Sequence, residues 1–255
     1  MTARPPLPER IFSIAVLLPF AAAIAYLHYS KGVAFNRFIL GSGSWGFGCG
    51  LKLLLYHGII RKLPHDPAHI MRVSTLNGLT SGITELGLAL VFFAFLPVLS
   101  LWDVIAFGIG IGTIEAGLVA TTPSLLQGTA LEAPAAELEA TVARMRGIRQ
   151  FVYGYALPFT ERLIATGIHV GTRGLVYVAY RSMTPLPAVI ALATFVLADG
   201  VIGYRLIHQG RLADTGVLNR TYVALALLAA IVVTCFLLYW PEHGYSAGLE
   251  DGSPR

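Results

Sequence analysis

Seven apolar runs follow one another along the chain, at about 11–28, 38–60, 76–99, 103–122, 154–180, 186–207 and 219–240. Each is close to the ~20 residues a helix needs to cross a hydrocarbon core of about 30 Å. Lipid offers no partner to backbone amides, so runs of this length in succession leave little besides a bundle of internally hydrogen-bonded helices. The expected fold is all-α: a polytopic membrane helix bundle of about seven transmembrane helices, one domain over 1–240, then a polar and mobile tail at 241–255. Composition agrees, with 55% of residues hydrophobic, 13% charged and a mean hydropathy of +0.68; soluble domains are roughly a quarter charged. Arg4 and Arg10 precede the first run, but its length exceeds the apolar part of a secretory signal and it reads as a retained anchor.

Lys and Arg set the expected orientation, because cytoplasmic loops collect them. The N-terminus and the loops after runs two, four and six hold eleven: Arg4, Arg10, Arg61, Lys62, Arg72, Arg144, Arg146, Arg149, Arg205, Arg211 and Arg220. The other side holds four, Lys31, Arg37, Arg181 and Arg255. This predicts a cytoplasmic N-terminus and an external C-terminus, and it makes the formal charge of +4 a matter of topology and anionic lipid, with no nucleic-acid partner. Seven spans also suit a retinal protein, but the lysines are Lys31, Lys52 and Lys62, and none lies in the last run to form a Schiff base. Cys49 and Cys235 both fall within runs and give no disulfide framework. No dinucleotide loop, P-loop or Ser-centred elbow is present.

One connection is long. Within it Pro134 suits a first helical position, and Leu138, Val142, Met145 and Ile148 recur on one stripe. Glu137 and Glu139 near its start and Arg144, Arg146 and Arg149 near its end match the helix dipole. The pattern predicts an amphipathic helix at about 134–149 on the cytoplasmic membrane surface, with a lid over a cytoplasmic opening as the sharper version. In "KLPHDPAHIMR", His65 and His69 have a spacing open to a metal; Asp66 and Pro67 read better as the cap and first turn of the helix entering run three, leaving His65 outside.

Charges inside the runs carry the functional question. An isolated charge at the centre of a spanning helix costs ~3 kcal/mol or more, so these groups should face one another rather than lipid. Counted from the cytoplasmic ends, Lys52, Glu85, Glu115, Glu161, Arg162 and Asp199 share a level roughly 10 to 14 Å deep at about 1.5 Å per residue. His169 lies about 12 Å deeper than Glu161 on the same helix. The segments "GLTSGITELG" and "GIGIGTIEAG" repeat one skeleton, Gly-x3-Gly-x2-Glu-x-Gly. Helical rotation puts Gly78, Gly82 and Glu85 on one face, and likewise Gly108, Gly112 and Glu115, so each carboxylate sits in a close helix contact. Arg162, His169 and Arg173 form another stripe. A purely structural account is interhelical ion pairing, in which Lys52, Arg162 and Arg173 offset Glu85, Glu115, Glu161 and Asp199 and leave one acid over.

Three of these segments together resemble the YhfC-like group of intramembrane proteases, distant relatives of the CPBP (Abi) proteases. The matching stretches are "SGITE" ending at Glu85, "GIGIGTIE" ending at Glu115, and "ERLIATGIH" with Glu161, Arg162 and His169. The resemblance implies a helical bundle in a bacterial cytoplasmic membrane. It also implies a site where a glutamate activates water and histidines hold a metal or the oxyanion. Glu85 and His169 would then be catalytic, Glu85, Glu115 and His169 would be the metal set for a zinc ion, and Lys52, Glu115, Glu161, Arg162 and Asp199 would line the polar site. This sequence departs from the family pattern at Leu86 for a second Glu, Ala89 for an Arg and Ile111 for a His. A catalytic zinc usually has three protein ligands, and one deep histidine remains.

Three functions follow as expectations. The first is a catalytically degenerate pseudoprotease or accessory subunit, without cofactor, that binds other transmembrane proteins through the small-residue faces of runs two to four and the exposed aromatics of the last run. The second is an active metallo or glutamate protease using Glu85 and His169. The third is a proton-coupled carrier using the surplus acid, although no second copy of the bundle is apparent.

Overall fold

The computed structural model describes residues 7–66, 68–121, 132–204 and 214–243, and each element within them is helical. In chain order they are α1 (Leu7–Lys31), α2 (Asn36–Gly58), α3 (Ile70–Phe95), α4 (Leu101–Thr121), α5 (Glu132–Arg144), α6 (Ile148–Phe151), α7 (Leu157–Ser182), α8 (Pro185–Phe195) and α9 (Thr215–His243). A 3-10 turn at Ile60–Lys62 follows α2, and π-helical turns at Val152–Ala156 and Val196–Tyr204 lead into α7 and extend α8. Five segments are long and apolar enough to cross a membrane: Asn36–Lys62, Ile70–Phe95, Leu101–Leu118, Pro185–Tyr204 and Thr215–Trp240. The chain is a helical integral membrane protein whose surroundings are a lipid bilayer.

Local chemistry fixes the ends of these helices. Gly32, at φ +68, ends α1, and the Val33 amide closes it on the Leu27 carbonyl at 3.2 Å. Ser100 and Asp103 form a reciprocal box at the start of α4: the Asp103 amide donates to Ser100 Oγ at 3.2 Å, and the Ser100 amide donates to Asp103 Oδ2 at 3.0 Å. Asp103 also pairs with Arg37 at 3.2 Å, tying α2 to α4. Met183, at φ 55, turns the chain after α7, and Pro185 opens α8 where a missing amide costs nothing. Asp214 accepts the Gly216 and Val217 amides at the start of α9.

At the centre, α7 packs on α3, α4, α8 and α9, while α2 bridges α3 and α4 and α1 lies outside on α4. The second half of α7 is apolar and buried, with Leu175, Val176, Tyr177 and Val178 meeting Phe93, Phe107, Ile111, Phe195 and Phe236. Tyr177 uses its polar end as well: its hydroxyl accepts the Leu99 amide at 2.8 Å in the α3–α4 connection. The polar side chains of α7, Arg162, His169 and Arg173, face the carboxylates of α4 and α3.

Two sequence expectations are corrected here. The amphipathic helix stops at Arg144 instead of running to 149, because Gly147 at φ +59 redirects the chain and Ile148 begins a new turn with its side chain 80% exposed. The aromatics of the last span do not face outward. Phe236 is fully buried and Trp240 stacks on Tyr177 with centroids 5.9 Å apart, since Gly174 leaves the Phe236 ring room against α7. α9 continues to His243, and the rest of the predicted tail, with Arg4, Arg205 and Arg211 of the orientation argument, lies outside the described residues.

Candidate functional site

The charges of the inner helices meet. Lys52 on α2 reaches Asp199 in the π turns at 2.5 Å and Glu85 on α3 at 3.8 Å. The other Glu85 oxygen accepts from Arg173 Nη2 on α7 at 2.9 Å. One turn earlier on α7, His169 Nε2 lies 2.7 Å from Glu115 Oε2, and Glu115 Oε1 accepts from Arg162 Nη1 at 3.0 Å. Arg162 turns its remaining edge to Glu161, through Nε at 2.5 Å and through Nη2. Asp199, Lys52, Glu85 and Arg173 thus form one chain of contacts, and His169, Glu115, Arg162 and Glu161 form a second beside it on the same helix.

Glycines make the approach possible. A Cβ on Gly108 would sit 2.6 Å from the Val170 backbone, and one on Gly112 would strike the Thr166 side chain, so α4 and α7 are in contact along the stretch that delivers Glu115. Gly78 is equally close to Val196, at 2.8 Å, which brings α3 against the π turns that carry Asp199. Gly78, Gly82, Gly108 and Gly112 are thus used inside the bundle. Elsewhere, Gly87 on α3 and Gly43, Gly46, Gly50 and Gly58 on α2 face open space.

His169, placed deeper by helical rise, joins the same network. Arg162 and His169 stand two turns apart, and the Arg162 side chain is long enough that one Glu115 carboxylate serves both. Arg173, read from the sequence only as an offsetting charge, is the most deeply enclosed member: it is 0% exposed, with Glu85 4% and His169 7%. Its guanidinium lies over the Phe195 ring, 4.8 Å from the centroid, and the same ring lies 6.3 Å from His169. Phe195 had no sequence signal, since it looks like any apolar residue of its helix.

Charge accounting is simple. Four carboxylates, Glu85, Glu115, Glu161 and Asp199, face three permanent cations, Lys52, Arg162 and Arg173. Asp199, Glu85 and Glu161 each hold a cation closely, whereas Glu115 shares Arg162 and turns its second oxygen to His169. One proton on the Glu115–His169 pair brings the network to neutrality, the condition that a low-dielectric setting favours. His169 Nδ1 and Arg173 Nε are buried and have no hydrogen-bond partner among the described residues.

The metal set does not assemble. Among the described residues no three His, Cys, Asp or Glu side chains gather closely enough to hold an ion. Glu115 spends both oxygens on Arg162 and His169, and a zinc ion at Glu85 would meet the charges of Arg173 and Lys52. Nor do His65 and His69 share a ligand: His65 bonds the Tyr204 hydroxyl at 2.7 Å, and His69 bonds Asp66 at 2.9 Å. Asp66 also accepts the Ala68 and His69 amides, as a cap should. The positions of the family departures are packed apolar: Ala89 and Ile111 are 0% exposed, and Leu86 belongs to the same core.

Fold and site define a multi-pass helical membrane protein built around a buried ion-pair network. No protein-family model matches the chain, and no curated protein or solved structure matches it.

Proposed function

We propose that the chain is a seven-span pseudoprotease of YhfC-like type, or an accessory subunit of that type, which binds another transmembrane protein in a bacterial cytoplasmic membrane. Its N-terminus is cytoplasmic and its C-terminus external. In this reading α1 and α7 complete the set of spans. α7 tolerates its charges because Glu161, Arg162 and Arg173 are paired within the bundle.

The observation that carries the reading is that the two carboxylates the resemblance assigns to chemistry are already engaged by cations and His169 within the bundle. A general base needs a lone pair aimed at the water it activates. Both Glu85 oxygens face cations, and both Glu115 oxygens are committed to Arg162 and His169. The apolar packing of Leu86, Ala89 and Ile111 supports the same conclusion, since the positions that would complete a catalytic site serve the core.

The test is purification from native membranes in mild detergent after cross-linking, with identification of co-purifying membrane proteins, elemental analysis and a cleavage assay on whatever membrane protein is captured. The expected result is a stoichiometric membrane partner, no bound zinc and no cleavage. Cleavage that disappears in both Glu85→Gln and His169→Ala overturns the reading in favour of an active protease. Solute flux that disappears in Glu115→Gln overturns it in favour of a proton-coupled carrier.

A further inference from the structure

A shallow, open groove of about 310 Å³ lies along one face of α9, lined by Asn219, Arg220, Val223, Ala224 and Leu227. Arg220, Val223, Ala224 and Leu227 are spaced i, i+3, i+4 and i+7, so they form one stripe on a helix that is long and apolar enough to cross the membrane. The stripe is graded. Its first residue is a cation near the helix start, and the next two turns are apolar, with Val223 61% and Leu227 60% exposed on either side of the small Ala224.

Arg220 is held at the head of this groove by its own helix. Its Nε donates to the Gly216 carbonyl at 3.2 Å, which draws the guanidinium back toward the start of α9, and its two Nη groups have no hydrogen-bond partner among the described residues. No described carboxylate pairs with it. Beside it Asn219 is held by Tyr153, donating to the Tyr153 hydroxyl at 2.9 Å, so the head of the groove is pinned to the segment that precedes α7. That segment also carries the exposed side chains of Arg146 and Arg149.

A cation that snorkels at the end of an apolar trough matches an amphiphile with an anionic head. Arginine presents a planar fork suited to phosphate oxygens. The volume is at the small end of ligand sites, enough for part of one acyl chain and too little for a whole lipid. We propose that this groove is a binding site for one anionic phospholipid, with the phosphate on Arg220 and one acyl chain along Val223, Ala224 and Leu227. The site rests on α9 lying in a bilayer and is independent of the pseudoprotease reading.

The test uses the full chain, delipidated in detergent, with palmitoyl-oleoyl phosphatidylglycerol, the corresponding phosphatidylcholine and soluble glycerol phosphate as probes, and native mass spectrometry to count retained molecules. One phosphatidylglycerol is retained per chain, and the other two probes are not. Arg220→Gln weakens retention about five- to tenfold. Ala224→Trp fills the trough and abolishes retention with the charge intact. Arg61→Gln, an exposed cation on another segment, leaves it unchanged. Both groove positions are exposed, so thermal unfolding of these variants stays at the parent value. Equal retention of phosphatidylcholine, equal loss in Arg61→Gln, or undiminished retention in Arg220→Gln and Ala224→Trp overturns the site. Retention of glycerol phosphate to the same degree overturns the acyl-chain half of it.

Discussion

Arg173 places its Nη2 2.9 Å from Glu85 Oε2, and together they form the most enclosed ion pair of the bundle, at 0% and 4% exposure. The pair joins the central helix to α3 across 88 residues of sequence. Removing one partner from such a pair costs about 3–5 kcal/mol, because the survivor stays buried without compensation. Glu85→Gln should therefore destabilise the protein by about that amount. Arg173→Met should cost less than Glu85→Gln, since Lys52 still stands 3.8 Å from the remaining carboxylate. The double variant should lose less than the sum of the two. Thermal unfolding in detergent measures the cycle, and strict additivity would refute the coupling.

Introducing the residues of the resembled protease pattern at positions 86, 89 and 111 should harm the protein. Ala89 and Ile111 have no exposed surface and Leu86 packs with them, so Ala89→Arg puts a long side chain where there is no room. Overpacking costs about 1–3 kcal/mol at each such position. The variant with Leu86→Glu, Ala89→Arg and Ile111→His is expected to yield little monodisperse protein by size-exclusion chromatography. A folded triple variant that binds zinc stoichiometrically would show that the packing at these three positions does not exclude a metal site.

The legible part of this protein is the part that lipid makes conspicuous. Charges at Lys52, Glu85, Glu115, Glu161, Arg162 and Asp199 stand out against apolar runs, and helical rotation from Gly108 and Gly112 was enough to aim Glu115 at a neighbour. The identity of the neighbour was not legible. It depends on the order of helices around α7 and on side-chain reach, which is how Arg162 and His169, two turns apart, come to share Glu115. Residue type alone also misled for Phe236 and Trp240. Aromatics near the end of a span often anchor at the interface, but here Gly171 and Gly174 open a lane on α7 that takes Val232 and Phe236 inward. The break after Arg144 rests on the backbone of Gly147, which the apolar stripe through Ile148 concealed.

Spacing between α4 and α7 should be sensitive to a single methyl group. A Cβ at Gly108 would lie 2.6 Å from Val170 Cα, a backbone atom that cannot rotate away. Gly108→Ala must push the helices apart, and Glu115, two turns further on, then loses its fit to His169 and Arg162. The expected cost is about 1–3 kcal/mol. Gly46→Ala on α2 is the control, because nothing lies within 4 Å of its Cβ position, and it should unfold at the parent temperature or slightly above. Equal unfolding temperatures for the two variants would mean that the α4–α7 contact is not the tight one.

The loop before α3 supplies a pH dependence with a definite sign. Asp66 accepts a hydrogen bond from the His69 ring, chiefly for that reason holding its carboxyl below the ordinary value of 3.8, and it accepts the Ala68 and His69 amides as well. A carboxylate whose folded value is depressed stabilises the fold above its unfolded value, and that contribution is lost as pH falls through the lower, folded value. The start of α3 should therefore be insensitive to pH near neutrality and fray in acid. Hydrogen exchange at the Ala68 and His69 amides should accelerate there beyond the intrinsic pH trend. In Asp66→Ala the same amides should exchange fast at every pH, and a parent protein showing no acid-dependent loss of protection would remove the cap from the account.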